Sequence, residues 1–208
     1  MTDLEAARDA LVDRLANRGF EDDVLAALRT VPRHAFVPAD QRATAYEDRP
    51  LPIGNGQTIS APHMVAIMAD ELEVTDGDQV LEIGTGCGYH AAVTAELVGA
   101  EQVYSVEVDA DLAARARETL AETGYGDVSV RVGDGRDGWP AHAPYDAAYL
   151  TCAAPTIPDA VLDQVRDGGT VLAPVGRHRQ ELVRATVDGE TVHREELGGV
   201  RFVRLRGE

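Results

Sequence analysis

Apolar positions along this chain change their period three times. Leu4, Ala7, Leu11 and Leu15 recur at helical spacing within residues 3–30, Gly19 marks a stop, and Val24, Leu25 and Leu28 continue in a second short helix. Residues 31–59 hold no long periodic stretch, and Pro32, Pro38, Pro50, Pro52, Gly54 and Gly56 predict a loop-rich connection. Ser60 is placed to cap a helix with Pro62 in its first turn, where a missing N–H does no harm. That helix runs through Met64, Val65, Ile67 and Met68 to about Glu73.

Strands and helices then alternate. Gln79–Ile83, Val103–Val108, Val128–Val132, Asp146–Leu150 and Thr170–Val175 read as short apolar strands. Tyr89–Val98, residues 110–122 behind an Asp109 cap, and Pro158–Val165 read as the helices between them, with Gly168-Gly169 a turn. This pattern predicts an α/β fold, a parallel sheet covered by helices. The tail differs: Glu181–Val187, Glu190–Glu196 and Val200–Leu205 are strand-like, with a tight Asp188-Gly189 turn, and predict an antiparallel edge. There are no internal repeats and no low-complexity linker.

Composition narrows the class. With 208 residues and 44% hydrophobic content, the chain can bury a sizeable core, and a disordered chain is excluded. No apolar run approaches the ~20 residues of a membrane span, and Met1-Thr2-Asp3-Leu4-Glu5 lacks the basic start of a signal peptide, so a cytoplasmic protein is expected. Cys87 and Cys152 are isolated thiols without a CxxC pair or metal-ligand spacing to histidine, which predicts neither disulfide nor bound metal.

Asp plus Glu number 36 against 19 basic residues, and all 19 are arginine. The acids are scattered along the whole chain, which points to a halophilic archaeal source rather than to a partner-repelling tail. Carboxylate repulsion is screened when the Debye length shrinks to ~3 Å near 1 M salt, so the melting temperature should fall steeply as potassium chloride is diluted to ~0.1 M.

Chemistry enters at Val80-Leu81-Glu82-Ile83-Gly84-Thr85-Gly86-Cys87-Gly88-Tyr89, a strand, a glycine loop and a helix start. Glycines let backbone N–H groups approach a ligand at a helix N-terminus. A dinucleotide loop would be G-x-G-x-x-G, but here the spacing is G-x-G-x-G and Tyr89 occupies the position of the third glycine. Glu82 ends the strand before the loop. Glu107 ends the next strand, 23 residues after Gly84, where an acid accepts hydrogen bonds from ribose hydroxyls. Asp134-Gly135 follows a third strand, placed to contact adenine. This set resembles the S-adenosylmethionine site of the Rossmann-like methyltransferases, and implies a doubly wound sheet and that cofactor.

Upstream lies Gly56-Gln57-Thr58-Ile59-Ser60-Ala61-Pro62-His63-Met64. It resembles the GQTIS-PHM motif of protein-L-isoaspartate O-methyltransferases. The resemblance extends through Pro32 to Pro38, Ala45-Tyr46, Leu51-Pro52-Ile53-Gly54, Thr151 to Pro155, Gly168-Gly169, Pro174-Val175-Gly176 and Val200 to Val203. It implies one domain over 1–208, in which residues 1–59 form an N-terminal helical and loop extension shaping part of the acceptor site and 60–208 form the core. It further implies cofactor contacts at Thr58, Ile59, Glu82, Gly84, Gly86, Glu107, Asp134 and Gly135, and acceptor contacts at Ile59, Ser60 and His63. The sequence departs from the family pattern at His90, Cys152 and Arg204, which leaves substrate preference open.

An isoaspartyl carboxylate has a reference pKa near 4 and is already an ionised nucleophile at neutral pH, so it needs alignment rather than a base. Ser60 is the candidate for holding it. The implied activity is methylation of isoaspartyl residues in proteins and peptides by a monomer with no nucleic-acid or membrane partner. One rival is a methyltransferase of RNA or a small metabolite, which lacks support because Leu150-Thr151-Cys152-Ala153 is no Asn-Pro-Pro-Tyr-like motif. The other is a non-catalytic cofactor-binding adaptor, against which the intact segment 56–64 argues.

Overall fold

The computed structural model describes residues 3–207; Met1, Thr2 and Glu208, part of the expected 1–208 domain, lie outside the described residues. Helices α1 (Asp3–Ala16) and α2 (Asp22–Thr30) follow the predicted period, burying Leu11 and Leu15 in the first and Val24, Leu25 and Leu28 in the second. Gly19 takes φ +85° between them, as a stop requires.

Residues 31–59 are more ordered than a loop. Two 3-10 turns (Arg33–Ala35 and Ala39–Thr44) lead into a hairpin of β1 (Leu51–Gly54) and β2 (Gln57–Ile59). Its two-residue turn is Asn55-Gly56, both with positive φ, the asparagine-glycine signal of a tight hairpin. The proline and glycine content had masked it.

Helix α3 (Pro62–Leu72) starts one residue later than a Ser60 cap requires. Its N-cap is Ala61, whose carbonyl accepts from Met64 and Val65 N–H, and Pro62 is the first helical residue. The expected Ser60 cap is therefore corrected: its hydroxyl lies outside the helix.

Seven strands form one sheet in the order β5-β4-β3-β6-β7-β8-β9. The parallel part comprises β3 (Val80–Ile83), β4 (Val103–Glu107), β5 (Ser129–Val132), β6 (Tyr145–Leu150) and β7 (Val165–Val175). Helices α4 (Tyr89–Val98), α5 (Ala110–Glu122) and α6 (Asp159–Leu162) connect them. Asp109 caps α5 as predicted, accepting from the Asp111 and Leu112 amides. The antiparallel edge is β8 (Gln180–Asp188) and β9 (Thr191–Val200), joined by a turn at Gly189-Glu190, one residue beyond the predicted pair.

Two further expectations fail. Gly168-Gly169 is not a turn between elements but an irregularity within β7, where the register to β6 slips between Tyr145↔Val165 and Ala147↔Thr170. Of the expected strand Val200–Leu205, only Val200 is in a strand, as the end of β9; residues 201–205 form none. Beyond Val200 the chain leaves the sheet edge and crosses the carboxyl ends of the strands, where Ala153 N donates to Val203 O at 2.7 Å and Leu205 N to Ala153 O at 2.8 Å. A chain running over strand ends meets single partners, so it builds no ladder.

Side chains of β3 alternate between faces. Leu81 and Ile83 join a core with β6, β7 and α6, while Val80 joins the core that β3 shares with α1, α2, α3 and α4. The chain reverses direction across the sheet between β3 and β6, and at such a switch point the strand ends leave a crevice for a ligand.

Candidate active site

That crevice is built from backbone. Gly84 has φ +100°, and a Cβ there would stand 2.4 Å from Thr151 Oγ1 at the end of β6. Thr151 Oγ1 instead donates to Gly84 O at 2.5 Å, clamping the two strand ends together. Gly86 N donates to Glu107 Oε2 at 2.8 Å, and Asp109 N to Glu107 Oε1 at 3.0 Å. The Glu107 carboxylate is thus fixed by main chain from two loops while it lines the cleft. Each of its oxygens has lone pairs left to accept from ligand hydroxyls. Gly135 forms the floor, so close to Ile83 that a Cβ would stand 2.3 Å from Ile83 Cγ2. Val65, Ile83, Val106, Val203 and Leu205 make the remaining walls largely apolar.

Beneath the loop lies a buried polar chain. Glu82 is wholly buried and points toward α4, where it accepts from Tyr149 OH at 3.0 Å and, through a short bond, from Ser105 Oγ. Ser105 Oγ and Thr85 Oγ1 share a 2.5 Å bond, and Tyr149 OH and Thr94 Oγ1 one of 2.9 Å. Burial pushes the Glu82 pKa up to about 8, against the hydrogen bonds from Ser105 and Tyr149. Glu82 does not line the cleft. It supports Thr85 and β4 from behind, so the structure places it under the predicted ligand site rather than in it.

Asp134 departs in a similar way. Its carboxylate accepts from the Arg136 amide at 2.9 Å and from the Arg136 guanidinium, which holds it below the usual carboxylate range. Its neighbour Gly135 is the one that faces the cleft.

A second, more open groove adjoins the first, and Thr58, Ser60, Thr151, Val203 and Arg204 line both. The sharp turn at Asn55-Gly56 swings β2 over the glycine loop and delivers Thr58, Ile59 and Ser60 to this junction. Ser60 is half-buried, and its hydroxyl makes no hydrogen bond among the described residues. His63 lines the groove but is already engaged, Nδ1 lying 2.8 Å and the backbone N 2.9 Å from Asp48 Oδ1.

Cys152 and His90, two of the departures, both line the first cleft. His90 packs tilted against Tyr149, with ring centroids 4.5 Å and planes 35° apart, and neither ring nitrogen has a partner. Burial pulls its pKa down to about 3 and leaves the imidazole neutral. Burial pushes the Cys152 thiol up to about 12 and the Cys87 thiol to about 11, so both are inert as nucleophiles. No disulfide joins them, and no cluster of potential metal ligands occurs among the described residues. Sequence reasoning missed Thr151, whose chemistry appears only when β6 lies beside β3, and the cleft-lining tail Val203 to Arg206.

The chain is similar to known proteins over nearly its whole length. The family model described as protein-L-isoaspartate(D-aspartate) O-methyltransferase matches residues 6–208. A protein-L-isoaspartate O-methyltransferase 2 of Archaeoglobus fulgidus is 50% identical over 99% of this chain and 95% of its own length. One of Methanopyrus kandleri is 52% identical over 97% and 92%. A solved protein-L-isoaspartate O-methyltransferase superposes with TM-score 0.91 at 28% identity, over 96% of this chain and 66% of that one. A Plasmodium falciparum structure in complex with S-adenosyl-L-homocysteine, 22% identical, shares the fold with TM-score 0.84 over 97% and 99% of the two chains. The family match spans nearly the whole chain, and relatives about half identical to it cover it from end to end: the chain belongs to the protein-L-isoaspartate(D-aspartate) O-methyltransferase family.

Proposed function

We propose that the chain transfers a methyl group from S-adenosylmethionine to the free carboxylate of L-isoaspartyl residues in damaged proteins and peptides, and that Ser60 orients that carboxylate. The observation that carries the role of Ser60 is its unpartnered hydroxyl at the junction of the two clefts. A hydroxyl spent on a helix cap could not do this, and Ser60 caps nothing.

The residues fit the cofactor. Glu107 offers a fixed anion for two vicinal hydroxyls, Gly84 and Gly86 let backbone lie close, Gly135 keeps the floor flat, and Thr58 and Ile59 close the outer side. When bound, S-adenosylmethionine supplies a methyl group on a sulfonium, an electrophile that a carboxylate can attack without a general base. Ser60 donates to the acceptor carboxylate or its adjoining backbone and so fixes where the free carboxyl projects. Aspartyl and isoaspartyl peptides carry the same groups and differ in which carboxyl continues the chain, and so in where the free carboxyl projects. Apolar walls exclude water from a step in which an anion and a cation neutralise each other. Neutral His90 adds no positive charge to a cleft that receives a cation.

Glu82, placed behind the loop, positions Thr85. Asp134 orders the turn that presents Gly135, and His63, held by Asp48, shapes the groove wall. We further propose a cytoplasmic monomer working as one domain over 1–208, in which residues 1–59 supply part of the acceptor wall, with no nucleic-acid or membrane partner. In support, no helix among the described residues is long and apolar enough to cross a membrane, and the N-terminal helices share a core with α3 and α4. The test is labelled S-adenosylmethionine with isoaspartyl, aspartyl and RNA acceptors. Label should enter the isoaspartyl peptide alone; equal labelling of the aspartyl peptide would remove the orienting role, and labelled RNA would favour the rival.

A further inference from the structure

The acceptor groove has the opposite charge to the protein around it. The chain carries 36 acidic residues and a net charge of −17, yet no Asp or Glu lines the groove. Its walls hold Arg177, Arg179, Arg201 and Arg204 with His63 and His178. Two carboxylates stand at its rim, both engaged: Asp48 with His63 and Arg18, and Glu181 with Arg179. Arg177, Arg201 and Arg204 make no ion pair among the described residues; Arg204 donates only to the carbonyl of Arg177, at 3.1 Å. All three are exposed.

Tertiary structure, not sequence, assembles this patch. Arg177 follows β7, whereas Arg201 and Arg204 lie on the tail that leaves β9 and crosses the strand ends. Gln180 ties the two segments together, accepting from Phe202 N at 2.6 Å and donating to Phe202 O at 3.1 Å. Arg204 reaches the junction with the cofactor cleft, beside Ser60.

A single acceptor carboxylate needs no such field, because Ser60 and the cleft mouth suffice to hold it. From this charge reversal we infer that the groove selects isoaspartyl sites flanked by acidic residues, with Arg177, Arg201 and Arg204 binding the flanking carboxylates. The inference rests on the isoaspartyl reading above and specifies which peptides the site prefers. Charges facing each other across a solvated rim contribute modestly apiece, yet they discriminate between partners and lose strength with salt.

Two isoaspartyl peptides of matched sequence, one with glutamate and one with glutamine on both sides of the isoaspartyl residue, provide the test. Labelled-methyl transfer is measured across a potassium chloride series in which circular dichroism shows the enzyme folded. At the lowest such salt, kcat/KM should favour the glutamate peptide by about fivefold. The ratio should approach one near 1 M, where the Debye length is ~3 Å. In Arg201→Gln/Arg204→Gln the ratio should collapse toward one at low salt, and in Arg204→Glu it should invert. A ratio is independent of how much of each variant folds. Equal kcat/KM for the two peptides at the lowest salt, or a ratio unchanged in the double variant, overturns the inference and leaves the methyltransferase reading intact. Methylation of neither peptide overturns both.

Discussion

The two clefts that meet at Ser60 are built on different plans. The cofactor cleft is lined by consecutive loop residues at the ends of adjacent parallel strands, and its polar groups are fixed by main chain: Glu107 by two amides, Thr151 by the Gly84 carbonyl. The acceptor groove is lined by segments from β2, α3, the end of β7 and the tail; Arg177, Arg201 and Arg204 on it are exposed and make no ion pair among the described residues, while Arg179 pairs with Glu181. One holds a ligand that never varies, so rigidity costs nothing in range. On the proposed function the other takes peptides of many sequences, and exposed charged side chains on a fixed backbone can follow them. Where a site is rigid, substitutions should act sharply on affinity; where it is open, they should act on choice among substrates.

The largest expected effect falls at the junction. Ser60→Ala should lower turnover of an isoaspartyl peptide about a hundredfold, the cost of ~1 Å of misplacement. Calorimetric affinity for S-adenosylmethionine should hold, and so should the melting temperature, because this hydroxyl caps no helix. Full turnover in the variant would remove Ser60 from the chemistry.

On the rigid side, Glu107→Ala removes a charged acceptor and two backbone anchors together. Calorimetry should show cofactor affinity about tenfold weaker or worse. Unchanged affinity would mean that the locked carboxylate serves the loop and not the ligand.

Smaller effects should appear in stability against pH, and they run in opposite directions. His90 has its pKa lowered from 6.5 to about 3 in the folded state, so its contribution is fully present above pH 6.5 and is lost as pH falls toward 3. His90→Gln should therefore flatten the fall in melting temperature on the acid side. Glu82 is raised from 4.5 to about 8, so the folded state keeps a proton that the unfolded chain releases. Stability from this group is fully present below pH 4.5 and declines as pH rises to about 8. Glu82→Gln should flatten that alkaline decline. A decline that persists unaltered in Glu82→Gln would mean that this carboxyl is ionised in the folded protein.

Much of the rigid cleft was legible in the chain itself. Strand, glycine loop and helix occur in one run of residues, the acid at Glu107 follows at the spacing of the next strand, and Asp109 caps α5 as read. These features depend on neighbours a few residues apart, and local sequence carries them. Glu82 was misplaced because period alone does not say which sheet face is lined by a ligand. It sits on the α4 face, where Ser105 and Tyr149 from neighbouring strands take up its carboxylate.

The sequence by itself determined the alternation of strands and helices from Val80 to Val175, the parallel sheet with its antiparallel edge, the family resemblance and the segment that carries Ser60. Each of these is written in periodicity, turn residues or a contiguous motif. Only the tertiary structure decided that Thr151 clamps Gly84 and that Gly135 lies against Ile83 at the cleft floor. The fold likewise placed the tail across the strand ends, bringing Arg201 and Arg204 near Arg177 beside a serine more than a hundred residues earlier in the chain. Those relations arise from strand order and from where the chain leaves the sheet. Side chains far apart in sequence become neighbours only once the sheet has closed around its core.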